Sequence, residues 1–566
     1  VRLALLGAIR DLLQTVKTQT FFLAEMDIFF YWLCSVVFGF WIFKKLKEWQ
    51  NLPPGPWGLP IVGYLPFINK KHPHLTLTEL SKQYGPIYGI GMGSLYAVVL
   101  SDHKLVREAF AKEAFTGRAP LFLTHGIMHG NGIICAEGKL WKDQRRCVSS
   151  WLKSYGMSKY STSRDKLEKR IAVGVQELLQ NVKGTVGAPV DLNLLLRHSV
   201  GNIVNEIIFG FKFPLEDKTW HWFMQIQEEG SHEMGVAGVV NFLPFVRFVS
   251  PSIQKTISVL VRGQEQTHRL YASFINRRRQ MLGLKTPEGA EYAPHANIFN
   301  EHPEGFIKCI RYSKHTQNHE EHFFDPKILL PSKEECILDS FLMEQKRRFV
   351  NEEESAKFMT DEQLHYLLAD MFGAGLDTTT VESRLSEPRL SEHPIIRTCE
   401  LIRNEIISKF PDESEIDSTK LPRLMAAICE TQRIRSIVPV GIPHGCLQET
   451  YLSNYKIPKG AMVLPLQWAI HSDPNVWEDP DEFKPSRFLD EEGNLLKPQA
   501  FIPFQTGKRM CPGDELARML STSFAAGLLR RIRIRLVSDP PTPEELQGII
   551  GITLSPPEVL YLCESI

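Results

Sequence analysis

None of the ten cysteines in this 566-residue chain is spaced Cys-x-x-Cys from another, so no disulfide framework is written into it. Reduced, buried thiols on a cytosolic face are the expectation. Net charge is missing as well. Sixty-five basic residues balance sixty-five acidic ones, which argues against nucleic acid as the main partner and leaves only local patches open. No flavin or nucleotide fingerprint is found, so electrons for any redox chemistry must come from another protein. No linker-like break separates two cores. With 43% apolar residues, the chain reads as one large domain with an anchor rather than as several average domains.

The apolar run Ile28–Phe43 stops at sixteen residues without a charge and is followed by Lys44, Lys45 and Lys47. It is short of the roughly twenty residues of a spanning helix, but its Tyr31, Trp32 and Trp41 suit an interfacial belt. The lysines place the downstream chain in the cytoplasm; a buried aromatic-rich core helix is the competing reading. Met26 precedes the run, so residues 1–25 are expected to be an upstream extension and 26–51 the anchor with its basic flank. Residues 52–60, LPPGPWGLP, are held extended by four prolines and form a stiff spacer. Residues 61–566 form the catalytic body.

Within that body, Tyr84–Val106 alternates apolar positions with turn residues and predicts a small antiparallel sheet. Helical periodicity dominates from Lys139, as in Lys166–Val182 and Ile253–Met281. Strands return over Cys446–Val463 and at the C-terminus. The fold class is mainly α with a small β part.

The segment FQTGKRMCPG, Phe504 to Gly513, places Cys511 in a glycine-punctuated loop beside Lys508 and Arg509. Neighbouring positive charge favours the thiolate, the form that binds metal. Gly507 and Gly513 are expected to let the backbone lie close to a flat macrocycle. The pattern Phe504, Gly507, Arg509, Cys511, Gly513 resembles the haem-binding signature of the cytochromes P-450. The resemblance implies that family's fold with an N-terminal transmembrane helix. It also implies a thiolate-ligated haem with Cys511 as the axial ligand of its iron. Gln505 departs from the pattern, since the family usually has glycine there.

Other segments extend the resemblance over roughly Leu52 to Cys563. Trp141 and Arg145 lie four apart on one helix face, and both side chains can bind a carboxylate; in the family such a pair holds a haem propionate. Arg118 in FTGRAP and His444 in GIPHG fall where relatives place further propionate donors, although either could be a surface or core side chain. AGLDTT resembles the oxygen-binding helix. Gly375 would let that helix open locally, and Asp377 and Thr378 would relay protons; a capped helix end is the alternative reading. Glu430 and Arg433 form an i,i+3 pair, either solvated or, as the resemblance implies, a buried structural triad completed by Arg487.

Two segments depart from the family. VESRLSEPRLSE, Val381 to Glu392, puts polar residues and Pro388 where relatives continue an apolar helix. A haem-binding protein without turnover is therefore the competing expectation of another class. Residues 284–332, rich in His, Pro and charge, read as an exposed insertion. Its His315, His319 and His322 do not match HExxH.

Gly235–Phe248 is apolar for a segment between helices. It reads as core or, by resemblance, as a stretch that dips into the bilayer beside the substrate entrance. Phe122–Ile134, Ile437–Val440 and Ile552–Leu554 are the other expected cavity walls. The resemblance implies a hydrophobic substrate, O2, and NADPH–cytochrome P-450 reductase at the endoplasmic reticulum membrane. Lys142, Arg145, Arg146, Lys153 and Lys508 would form the docking face. GNGIICAEGKLWKDQRR looks most like arthropod ecdysteroid-pathway members, which implies C-25 hydroxylation of a steroid precursor, with 26-hydroxylation or another sterol or fatty-acid hydroxylation as competitors.

Overall fold

The computed structural model describes residues 51–566 except 159, 234–237, 289–329, 332–334, 387–392, 412–415, 538–541, 543–547, 552 and 556–558, together with residues 36 and 39. The expected anchor and upstream extension, nearly all of the expected insertion, and Pro388 lie outside the described residues. Among the described residues no helix is long and apolar enough to cross a membrane.

Five strands make the main sheet: β1 (Ile87–Met92), β2 (Leu95–Leu100), β3 (Gly117–Arg118), β4 (His444–Gly445) and β5 (Met462–Pro465). Their spatial order is β1-β2-β5-β4-β3. The β1–β2 hairpin is the antiparallel pair that alternation announces, with Ile87 opposite Leu100. It ends sooner than expected, because Asp102 accepts N–H bonds from Lys104 and Leu105 and starts a helix there. Beside β2 runs β5, in parallel, with Ala97 opposite Met462. Antiparallel pairing sets Arg118 of β3 opposite His444 of β4.

Eight helices matter to the site: α1 (His103–Ala111), α2 (Gly138–Ser154), α3 (Arg164–Lys183), α4 (Leu192–Ile208), α5 (Pro251–Leu282), α6 (Asp361–Ser386), α7 (Pro422–Ile434) and α8 (Asp514–Arg531). Pro251 opens α5 behind the Ser250 cap, and Gly283 closes it at φ +62. The long helix α6 crosses the core. Leu364, Leu367, Leu368, Phe372 and Leu376 recur at three- and four-residue spacing and are fully buried. At Gly375 a Cβ would sit 3.2 Å from Val204 of α4, so the glycine sets how closely α6 and α4 approach. The helix is unbroken through this point. Past the insertion, Leu330–Pro331 returns to pair with Phe211–Lys212.

Candidate active site

The Phe504–Gly513 loop folds back on itself before α8. Cys511 N–H donates to the Phe504 carbonyl at 3.0 Å, and Lys508 N–H to the Phe110 carbonyl at 3.2 Å. Gly507 has φ +78, and a Cβ there would lie 2.3 Å from the Phe110 carbonyl oxygen. Its lack of a side chain therefore serves loop packing on α1. Gly513 is different: a Cβ would meet only Cys511 Sγ, at 4.0 Å.

Burial raises the Cys511 thiol above its ordinary range; the Gly513 N–H and the charges of Arg145 and Arg518 act in the opposite direction. The two cations expected to favour the thiolate are engaged elsewhere. Lys508 Nζ lies 2.5 Å from Glu113 Oε1, and Lys142 Nζ lies 3.2 Å from Glu113 Oε2. Those two lysines, Lys508 first, hold the Glu113 carboxyl below its ordinary range. Arg509 turns inward and stacks over the Trp141 ring at 4.4 Å. Phe504 receives Arg518 over its ring at 5.7 Å.

Three guanidiniums gather around this loop. Arg509 donates to the carbonyls of Thr116 at 2.7 Å, Ile134 at 3.1 Å, and Ala136. Arg118 Nε donates to the Ile134 carbonyl at 2.7 Å, while its Nη1 is buried without a partner. Arg145 Nη2 donates to the Met510 carbonyl at 2.6 Å. The hydrogen bonds of these three side chains go to backbone carbonyls, and the nearby carboxyls of Asp370, Glu137 and Asp514 act on them only through space. Burial pulls Arg118 down to about 10 and Arg509 to about 8; Arg145 lowers both and Arg118 lowers Arg509, while Glu137 acts on both, and Asp370 on Arg118, in the opposite direction. Buried cations held only by carbonyls, one with an orphaned N–H, call for anionic oxygen. The two propionates of a haem fit that donor set.

His444 is buried, stacked on Phe110 with centroids 3.7 Å apart and planes 5° apart. Its Nδ1 donates to the Phe115 carbonyl at 2.7 Å, and Nε2 lies 3.3 Å from Gln505 Oε1. Burial, then Arg118, hold its pKa well below the ordinary value. In the neutral ring the Nδ1 proton goes to Phe115 and Nε2 carries the lone pair.

On α6, Thr378 Oγ1 donates to the Ala374 carbonyl at 2.6 Å. The Asp377 side chain lies outside the described residues. Two turns earlier is a residue that the sequence reading missed. Asp370 is buried, and its Oδ2 accepts N–H bonds from Ile133 at 2.6 Å and Ile134 at 2.8 Å. Burial raises its carboxyl to about 7. It thereby holds the loop whose Ile134 carbonyl in turn holds Arg118 and Arg509. An acid inside the apolar run LHYLLADMF was the available sign.

Away from this cleft, Glu430, Arg433 and Arg487 come together. Arg433 Nε is 2.7 Å from Glu430 Oε2, and Arg487 Nε is 3.3 Å from Oε1. The apolar wall segments also converge: Leu554 N–H donates to the Ile437 carbonyl at 2.8 Å, and Arg247 lies over the Phe122 ring at 5.0 Å. Phe245, Phe248 and Val249 are exposed beside it.

A mainly helical body, a five-stranded sheet, and a cysteine loop ringed by arginines bonded to carbonyls define a haem-thiolate enzyme. The family model described as Cytochrome P450 matches residues 53–563, and the chain belongs to that family. It is 38% identical to Cytochrome P450 306a1 of Drosophila melanogaster over 89% of this chain and 87% of the relative. With Cytochrome P450 18a1 of the same species it shares 31% identity over 91% and 87%. With Cytochrome P450 2J2 of Homo sapiens it shares 29% over 91% of each chain. The chain is accordingly an oxidoreductase of the monooxygenase type, from a family that uses thiolate-ligated haem, a redox partner and a hydrophobic substrate.

Proposed function

We propose that the chain hydroxylates a steroid, an ecdysteroid precursor at C-25, with Cys511 as the axial thiolate. Haem so ligated supplies activation of O2 for insertion of one oxygen atom into a C–H bond. Trp141, Arg118, Arg145 and Arg509 would hold the propionates. Cys511 would hold the iron as a thiolate, and the Gly513 N–H and Arg145 would steady the sulfur's charge. The Thr378 hydroxyl, with Asp377, would deliver protons from α6. Apolar walls at Phe122–Ile134 and Ile437–Val440 would exclude water and orient the substrate.

The observation that carries this reading is the set of three guanidiniums hydrogen-bonded only to backbone carbonyls around the Cys511 loop. The steroid and its carbon rest on likeness to the arthropod ecdysteroid-pathway branch. The reductase and the endoplasmic reticulum membrane rest on the basic patch and on the apolar run before Lys44. In that patch, Lys142 and Lys508 share Glu113, and Arg146 pairs with Asp143, so Lys153 would carry much of the docking charge.

The test is incubation of membranes containing the chain and NADPH reductase with an ecdysteroid precursor, followed by product mass and fragmentation analysis. A 25-hydroxylated product is expected, and Cys511→Ser abolishes it. A 26-hydroxylated product reassigns the carbon. Haem uptake without any product supports the non-turnover reading raised by residues 381–392.

A further inference from the structure

The acid ahead of α2 does not serve its own helix. Glu137 occupies the N-cap, yet its side chain caps none of the free N–H groups of that first turn. The carboxylate reaches back instead to β3, where Oε1 accepts the backbone N–H of Arg118. Room is left for it there: a Cβ at Gly117 would lie 3.0 Å from Glu137 Oε1 and 2.7 Å from the Gly445 carbonyl oxygen. An anion is thereby fixed at the root of one buried arginine. A second, Arg509, donates to the carbonyl of Ala136, the residue just before the glutamate. Through space, the glutamate favours the charged form of both guanidiniums.

Charge accounting gives this acid a purpose. Arg118, Arg145 and Arg509 bring three positive charges to the cleft, and two propionates bring two negative ones. One positive charge is left over, and an unmatched charge in a buried cluster is costly. The other acids that act on these arginines do not supply the difference. Asp514 lies 2.7 Å from Arg518, which matches it. Burial raises Asp370 to about 7, so below neutrality it holds its proton. Glu137 is the fixed anion that remains.

We propose that Glu137 is the resident counter-ion of the arginine cluster: its carboxylate matches the one guanidinium charge that two haem propionates leave over, and so sets the field in which the iron is reduced. This rests on the haem reading of the cleft. The effect is electrostatic, and no proton or electron passes through the glutamate.

The test compares two variants at pH 6, where Asp370 is neutral, with far-UV circular dichroism as the check on folding. Glu137→Gln keeps an acceptor for the Arg118 N–H and removes the charge. Glu137→Asp keeps the charge. Haem-free Glu137→Gln should unfold at lower denaturant than wild type, because the buried cations then face no fixed anion. Its holoprotein should lose haem to excess apomyoglobin about tenfold more slowly, because the propionates meet one more net positive charge. The ratio of ferrous to ferric protein at a fixed potential should rise about tenfold, an upward shift of about 59 mV for one electron. A residue that merely braced β3 would speed haem loss and leave the potential in place. Glu137→Asp should stay within twofold of wild type in haem loss and in the ferrous-to-ferric ratio. Unchanged or faster haem loss from Glu137→Gln, a ratio within twofold of wild type, or an equally stable haem-free protein overturns the assignment while leaving the haem site standing. If Glu137→Gln gives no folded holoprotein, Glu137→Asp decides, and a change beyond twofold overturns it. A wild-type protein that takes up no haem overturns both readings.

Discussion

Two groups of buried arginines in this protein are treated in opposite ways. Arg433 is fully buried on Glu430, and its remaining N–H groups reach the carbonyls of His471 at 2.8 Å and Pro480 at 2.7 Å. Lys484 N–H and Arg487 complete the acid's shell. That cluster is closed: its charges and donors are matched within the protein. The cluster beside Cys511 is open. Arg118, Arg145 and Arg509 receive carbonyl oxygens only, and one N–H receives nothing. Matched charge makes a fastener, whereas unmatched charge of one sign makes a receptor for the other.

The sharpest way to break this contrast is to open the closed cluster. Glu430→Ala leaves Arg433 as an uncompensated buried cation and should cost about 3–5 kcal/mol, read as loss of the cooperative thermal transition. Next comes the loop that serves the open cluster. Asp370→Ala strands two buried N–H groups and should cost about 2–4 kcal/mol, with haem binding weakened because Ile134 is no longer fixed. Third, Arg118→Met should act in the reverse sense to Glu430→Ala. It removes an unmatched buried charge, so chemical denaturation of the haem-free protein should show equal or slightly greater stability, while haem loss from the holoprotein accelerates about tenfold.

A subtler effect separates the two clusters by pH. The Asp370 carboxyl is raised from 3.8 to about 7 by burial. Between those values the folded state holds a proton that the unfolded chain has lost. Its stabilising contribution is therefore full below about pH 4 and is lost as pH rises through 7. Asp370→Asn should flatten this slope relative to wild type in denaturation curves taken across that range. Smallest of all, Thr378→Ala removes only the bond to Ala374 and should change stability by less than about 1 kcal/mol, yet it should lower product formed per NADPH consumed.

Much of the receptor cluster was legible because its spacing is local: Cys511 with Arg509, and Trp141 with Arg145. The direction of those side chains was not. Lys508 and Arg509 flank the cysteine in sequence, but the loop sends one to Glu113 and the other over Trp141, and Arg145 and Arg518 are the cations that face the sulfur. Glycines misled in a related way. Gly507 marks a place with no room for a Cβ and Gly375 a tight one, but sequence does not say which neighbour takes the room. Here it is Val204 and Phe110. Asp370 was hidden because a lone acid in an apolar helix carries no spacing pattern, and its partners lie 237 and 236 residues away. The hairpin β1–β2 is local and was readable. The parallel neighbour β5 was not, since nothing near Leu95 announces Met462.

That last pairing carries a consequence for biogenesis. The strand bearing Arg118 joins the sheet only through His444, and β4 in turn rests on β5. Most of the polypeptide must leave the ribosome before the two can meet. Contacts of such long range form slowly. The arginine cluster is therefore complete only late in synthesis, and until then the unpaired strand edges are open to wrong partners.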